Sequence, residues 1–191
     1  MKQRLESLDV LRGADLFFLM AVGPLVRRLI KTLDIAWLND CYWLFDHAAW
    51  EGFSPWDIIM PLFIFMTGIT IPFAMGRLRE ERNYRSALWR ITKRVALLWL
   101  FGMICQGRLL NLDFERIYLY SNTLQAIAVA YAVSALAFLF TRLRTQIIIA
   151  ISLLLGYWGA MEFISVGEFG GGDYSTTHNL AEWVDQTLLG R

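Results

Sequence analysis

From Ile58 to Met75 the chain reads IIMPLFIFMTGITIPFAM, a stretch without one ionisable side chain. A helix crossing the hydrocarbon core of a bilayer needs about 20 mostly apolar residues. Inside that core every backbone N–H and C=O must find its partner within the protein, which leaves helices or closed barrels. Five windows meet or approach this requirement: about 13–29, 55–75, 95–110, 121–140 and 146–165. Pro61, Pro72 and the glycines inside them are tolerable because neighbouring helices re-satisfy freed backbone groups. Composition agrees. Of the 191 residues, 57% are hydrophobic and 18% charged, with a mean hydropathy of +0.44, whereas a soluble domain holds about 45–50% apolar and about 25% charged residues. The expected fold is all-α, a polytopic transmembrane helix bundle of about five spans.

Orientation follows from the distribution of Lys and Arg in short loops. The N-terminus, the Arg77–Arg94 segment and the Arg142–Arg144 turn carry twelve basic residues on one side, against six on the other (Arg27, Arg28, Lys31, Arg108, Arg116 and Arg191). The first side is expected to be cytoplasmic, leaving 31–54, 111–120 and 166–191 outside. The opening MKQRLESLDVLRGAD is no cleavable signal, because Arg12 and Asp15 interrupt any apolar region. It reads as a cytoplasmic lead-in to a retained helix. The Arg77–Arg94 cations serve topology and attraction to anionic headgroups, or contact an anionic cytosolic ligand.

The net charge of +1 and the lack of a basic patch interleaved with exposed aromatics give no nucleic-acid surface. Cys41 and Cys105 are too few for a disulfide framework, and no His/Cys spacing points to a metal. No internal repeat appears, and the Gly-rich tail from Gly167 reads as an external loop.

One segment stands apart. Asp46, His47, Trp50, Glu51 and Asp57 fall within twelve residues at the outer mouth of the second window. An ionisable residue at membrane depth, such as Asp57, faces a bundle interior or a wet cavity. A histidine beside carboxylates is tuned for proton transfer near neutral pH. An equally good reading is an interfacial belt of Trp43, Trp50, Phe53 and Trp56 with an amphipathic His47. Arg12 and Asp15 form a second polar pair, either a helix-start interaction or a binding element at the inner mouth. Gln125 and Glu162 are candidates for lining a polar cavity, and His178 reads as a loop residue.

The opening Arg4-Leu5-Glu6-Ser7-Leu8-Asp9-Val10-Leu11-Arg12-Gly13 resembles that of transmembrane acyltransferases. The string His47-Ala48-Ala49-Trp50-Glu51-Gly52, followed by Asp57-Ile58-Ile59-Met60-Pro61-Leu62-Phe63-Ile64-Phe65-Met66-Thr67-Gly68, resembles the H-x-x-W-N-G…D-x-x-F-P-x-F-x-F-x-x-G signature of the heparan-α-glucosaminide N-acetyltransferase family and its bacterial relatives. The stretch from Gly156-Tyr157-Trp158 to Leu188-Leu189 is similar to that bacterial group as well. The resemblance implies a polytopic enzyme of the bacterial inner (plasma) membrane, N-terminus cytoplasmic. It would move acetyl from cytosolic acetyl-CoA to an amino sugar or glycan outside, and would admit a homodimer. The family's histidine falls on His47, as general base or acetyl carrier, with Asp57 beside it and Asp57 or Asp46 expected to orient the ring. Trp50, Glu51 and Asp46 fall to the acceptor side. Arg12 and Asp9 of the inner motif, with Arg90 and Arg94 in reserve, fall to the donor. Two positions depart from the pattern: Glu51 stands where the motif has Asn, and Gly23 where relatives have Asn. Family members are longer, so 1–191 is expected to be a single domain forming the N-terminal part of a larger one. The competing class is a non-catalytic or transporter-like membrane protein, which should show inverted repeats with broken helices; none is visible.

Overall fold

The computed structural model describes residues 6–105 and 122–189. Lys2, Arg4, Arg108, Arg116, Arg191 and the end of the 95–110 window lie outside them. The chain divides into two compact units, Met1–Ala74 and Met75–Arg191.

In the first unit, helix α1 (Glu6–Phe17) passes through a π-helical turn (Phe18–Val22) into α2 (Gly23–Leu33). The π turn has a local cause. Pro24 has no N–H to give and its ring crowds the preceding turn, and the backbone widens just before it. Gly23 N–H reaches five residues back to Phe18 O, the register that such bulges use. Asp34 ends α2 in the left-handed region at φ +48°, its N–H bonding Ile30 O at 3.1 Å. Aspartate is among the few residues that accept this conformation. A short α3 (Ala36–Asn39) and two 3₁₀ turns, Tyr42–Phe45 and Pro55–Ile58, lead to α4 (Ile59–Glu80).

Two contacts tie the helical parts of this unit to α4 and the turn before it. Arg12 Nη2 donates to Met66 O (3.3 Å) and Thr70 Oγ1 (3.1 Å), tying α1 to α4. Near the other end the buried indole of Trp56 lies so close to Gly23 that a Cβ there would overlap the ring. Arg12 thus turns to α4 and makes no ion pair with Asp15, in place of the expected Arg12–Asp15 pair. A guanidinium with five donors finds a fixed backbone carbonyl and a hydroxyl across the helix interface.

In the second unit, α5 (Tyr84–Cys105) packs along α6 (Thr123–Phe140), followed by α7 (Leu143–Phe163). Ala87, Ala128 and Ala135 are fully buried, small residues that let helices approach closely. Asn122 caps α6, its Oδ1 accepting from Leu124 N (2.9 Å) and Gln125 N (3.2 Å), while its amide donates to Gly102 O. Gln125 is buried in this seam, which accounts for it structurally. Arg94 lies 4.4 Å from the ring centroid of Tyr131 on α6.

The segment from Arg77 to Arg94, expected to be a loop, is almost all helix. Arg77 and Arg79 belong to α4, and Arg85, Arg90, Lys93 and Arg94 to α5. Arginine and lysine are good helix formers, and counting loop charges registers their side of the membrane but not their conformation. The tail also differs from a plain loop. Strands β1 (Ser165–Val166) and β2 (Phe169–Gly170) form a hairpin, and α8 (Leu180–Val184) follows. Gly170, Gly171 and Gly172 all have positive φ, which brings Gly171 N to Ile164 O (2.9 Å) and Gly172 N to Met161 O (3.1 Å). The glycine run thereby satisfies carbonyls left open at the end of α7.

Three helical stretches are long and apolar enough to cross a membrane: Pro55–Glu80, Thr123–Phe140 and Leu143–Phe163. Almost none of α7 is buried; Leu153, Leu154 and Leu155 are all exposed, as lipid-facing residues would be. The chain is mostly helical, with three candidate membrane-spanning helices among the described residues where about five spans were expected. The 13–29 window holds Asp15, Arg27 and Arg28 and is divided by the π turn. The helix containing the start of the 95–110 window carries Arg85, Arg90, Lys93 and Arg94.

Gly23→Ala should lower the unfolding temperature of the purified protein in detergent. The added methyl meets the Trp56 indole, and overpacking of this kind costs about 1–3 kcal/mol. Gly23→Ala combined with Trp56→Leu should recover part of the loss. An unchanged melt for the single variant would mean that the contact is loose.

Candidate functional site

The sequence Ser54-Pro55-Trp56-Asp57 specifies its own turn. Serine at the N-cap, proline at the first helical position and an acidic residue at N3 make a capping box. Trp56 N donates to Ser54 Oγ (3.2 Å), and Ser54 N donates back to Asp57 Oδ2 (2.9 Å). Ser54 is buried, and its hydroxyl lies 2.8 Å from Trp43 O and 2.6 Å from Asp46 O. This one side chain therefore binds the start of the α4 stretch to the loop that carries His47.

With Oδ2 held by the cap, Asp57 Oδ1 faces His47 Nδ1 at 2.7 Å. A carboxylate only accepts, so when Asp57 is ionised Nδ1 carries the hydrogen. In the neutral ring Nε2 is then the basic nitrogen. The His47 side chain is 67% exposed, so Nε2 can meet a molecule arriving from outside the fold. A base oriented through its second nitrogen by a carboxylate is the arrangement that general-base catalysis uses.

Asp46 supports the loop. Its Oδ1 accepts from His47 N (3.0 Å) and stands 3.8 Å from Arg27 Nη1. Arg27 also donates to Phe45 O at 3.2 Å and lies 5.1 Å from the ring centroid of Trp56. The structure thus brings together His47, Asp57 and Asp46 of the expected set. Trp50 and Glu51 are exposed, and Glu51 forms no ion pair with His47.

Sequence reasoning missed Ser54 and Arg27. The capping box at 54–57 was a readable signal for Ser54. Arg27 had none, because its role depends on α2 returning beside the 42–58 loop.

The residues expected to serve the donor lie elsewhere. Asp9 is in the first turn of α1, where the helix dipole favours a carboxylate. Arg90 and Arg94 line, with Lys93, one wall of a groove of about 310 Å³ on α5 whose remaining lining is Leu97, Leu98 and Phe101. Three cationic and three apolar side chains thus share this face of α5. Glu162 accepts from Tyr174 Oη at 2.8 Å, a bond that raises the phenol's pKa above its usual value. His178 meets Thr177 Oγ1 at 2.8 Å and the ring of Phe169. Both are tail contacts. Among the described residues no group of three or more His, Cys, Asp and Glu is placed to hold a metal ion.

Over 140 residues the chain is 30% identical to heparan-alpha-glucosaminide N-acetyltransferase of Homo sapiens, the match covering 69% of this chain and 18% of that protein. It is 28% identical over 139 residues to the Mus musculus protein of the same name, covering 69% and 19%. These matches mark a distant relationship to that family. The chain spans less than a fifth of the length of the curated relatives it matches. No family model and no solved structure matches it.

Ser54→Ala should cost about 0.5–2 kcal/mol of stability, the usual value of an N-cap, read as a lower unfolding temperature in detergent. Ser54→Thr, which keeps the hydroxyl, should retain most of it. Equal losses for the two variants would assign the effect to packing and not to the cap.

Proposed function

We propose that this chain carries the proton-transfer site of a membrane acetyltransferase that takes acetyl from cytosolic acetyl-CoA and delivers it to an amino sugar or other glycan amine on the external side of a bacterial inner membrane. The observation that supports this reading is the 2.7 Å contact between His47 Nδ1 and Asp57 Oδ1, with the acid fixed from behind by the Ser54 amide. The distant relationship to an N-acetyltransferase supports the same chemistry.

In this reading His47 Nε2 receives the proton of the acceptor's nitrogen as that nitrogen bonds to the acetyl carbon. Asp57 stabilises the resulting imidazolium through Nδ1. The proton then passes from Nε2 to the sulfur released when the carbon–sulfur bond breaks, so the ring ends as it began. The donor supplies the thioester acetyl group. Arg12 is assigned to its phosphates, with Asp9 beside it on α1 to accept from a donor group of the cofactor; Arg90 and Arg94 are the alternative phosphate partners. Arg12 keeps Nη1 and Nε for such a contact while Nη2 holds α4. Trp50, Glu51 and Asp46 flank His47 on the acceptor side, where Glu51 would suit an amine or hydroxyl donor.

His47→Ala should lower acetyl transfer in membranes holding the full-length protein by about 10²–10⁴, the range for loss of a general base. Expression and coenzyme A binding should stay near wild type. His47→Gln should fall as far, because it preserves hydrogen bonding but takes up no proton. A variant retaining more than about a tenth of the rate, well above that range, would make His47 an interfacial residue.

The same reading requires His47 outside and the basic ends of α4 and α5 inside. In a Cys105→Ser background, Cys41 should react with an impermeant maleimide on intact cells. Labelling only after lysis would reverse the orientation and separate His47 from an external acceptor.

A further inference from the structure

A groove of about 430 Å³ runs along the first unit, between α1 with its π turn on one side and the Pro55–Ile58 turn with the start of α4 on the other. Leu11, Phe18, Phe45, Trp56, Ile59 and Leu62 make most of its wall, which is almost wholly apolar. The volume falls within the range of small-molecule sites, about 300–1,000 Å³. Set into this wall is one carboxyl group, Asp15, only 7% exposed. Its Oδ2 is shut off from solvent and has no hydrogen-bond partner among the described residues. The nearest cation along the helix, Arg12, spends its Nη2 on Met66 O and Thr70 Oγ1 instead.

A buried carboxylate without a partner is costly, and one set into the apolar wall of a groove points to a ligand that supplies the partner. The missing partner must bring a positive charge or a donor, and its remaining surface must suit an apolar wall. We infer that the groove binds a single-chain amphiphile with a primary ammonium head, the ammonium on Asp15 and the chain along Leu11, Phe18, Ile59 and Leu62. The assignment is independent of the acetyl-transfer reading: Asp15 belongs to α1, and His47 to the loop at the other end of the groove. Charge complementarity selects the ammonium over a neutral chain, because a lipid tail alone would leave Asp15 as it is.

A diazirine-bearing dodecylamine serves as probe on the full chain in nanodiscs of zwitterionic lipid, with cross-linked peptides mapped by mass spectrometry. The expected adducts lie on 11–18 and 55–62 and are displaced by unlabelled dodecylamine. Dodecanol should compete about tenfold or more less well, in keeping with the strength of a charge-assisted hydrogen bond. Asp15→Leu should reduce groove labelling to a similar degree while folding at least as well, since it removes an unpaired buried charge. Asp15→Glu should retain it, and Ala14→Phe, which narrows the groove and leaves the carboxyl, should block it. Labelling spread evenly over all lipid-facing helices, competition by dodecanol equal to that by the amine, or unchanged labelling in Asp15→Leu would each overturn the assignment. A fall in acetyl transfer with amine labelling intact would touch only the function proposed above.

Discussion

The capping box at Ser54–Asp57 is the constraint on which the rest of the site depends. An α-helix or 3₁₀ turn begins with backbone N–H groups that have no internal partner, and near a membrane surface those groups need one. Ser54 Oγ takes one of them, and Asp57 answers the Ser54 amide in return. The acid is then held at both ends, by the cap through Oδ2 and by His47 through Oδ1. A device that starts a helix thereby also fixes the direction in which a histidine ring presents its free nitrogen.

The same turn lays Trp56 into the fold. Its indole fills the space that a side chain at Gly23 would need, and Arg27 covers the ring on its way to Phe45 O and Asp46. An asparagine at position 23 would have to move this ring. The glycine is therefore matched to the tryptophan in this chain, and its φ of −59° is one that any residue can adopt. Close approach, not backbone freedom, is what requires glycine there.

Much of this was legible in the residues. The uncharged run from Ile58 to Met75 announced a membrane helix, and its spacing from His47 announced that the two share one end. The windows at 121–140 and 146–165 coincide closely with α6 and α7. Less legible was anything set by return contacts. Arg12 looked like a partner for Asp15 because the two are one helical turn apart, yet α4 offers it a carbonyl and a hydroxyl together. The basic 77–94 segment looked like a loop because charge density and helicity are separate properties. Trp56 looked like a headgroup anchor by type, and is instead buried. The glycines at 170–172 read as part of an external loop, and their use in closing the carbonyls of α7 depends on where the chain doubles back.

Proton transfer at this site requires Asp57 to hold His47 with its hydrogen on Nδ1 and its lone pair on Nε2. Nitrogen-15 NMR of the histidine rings measures this directly, at a pH where the ring is neutral. The chain has two histidines, and a His178→Gln sample assigns the signals. The expected spectrum has the protonated, pyrrole-type nitrogen of His47 at Nδ1 and the pyridine-type nitrogen at Nε2, with the preference lost in Asp57→Asn. A pyridine-type signal at Nδ1, or a tautomer balance that Asp57→Asn leaves unchanged, would mean that Asp57 does not set the tautomer of His47.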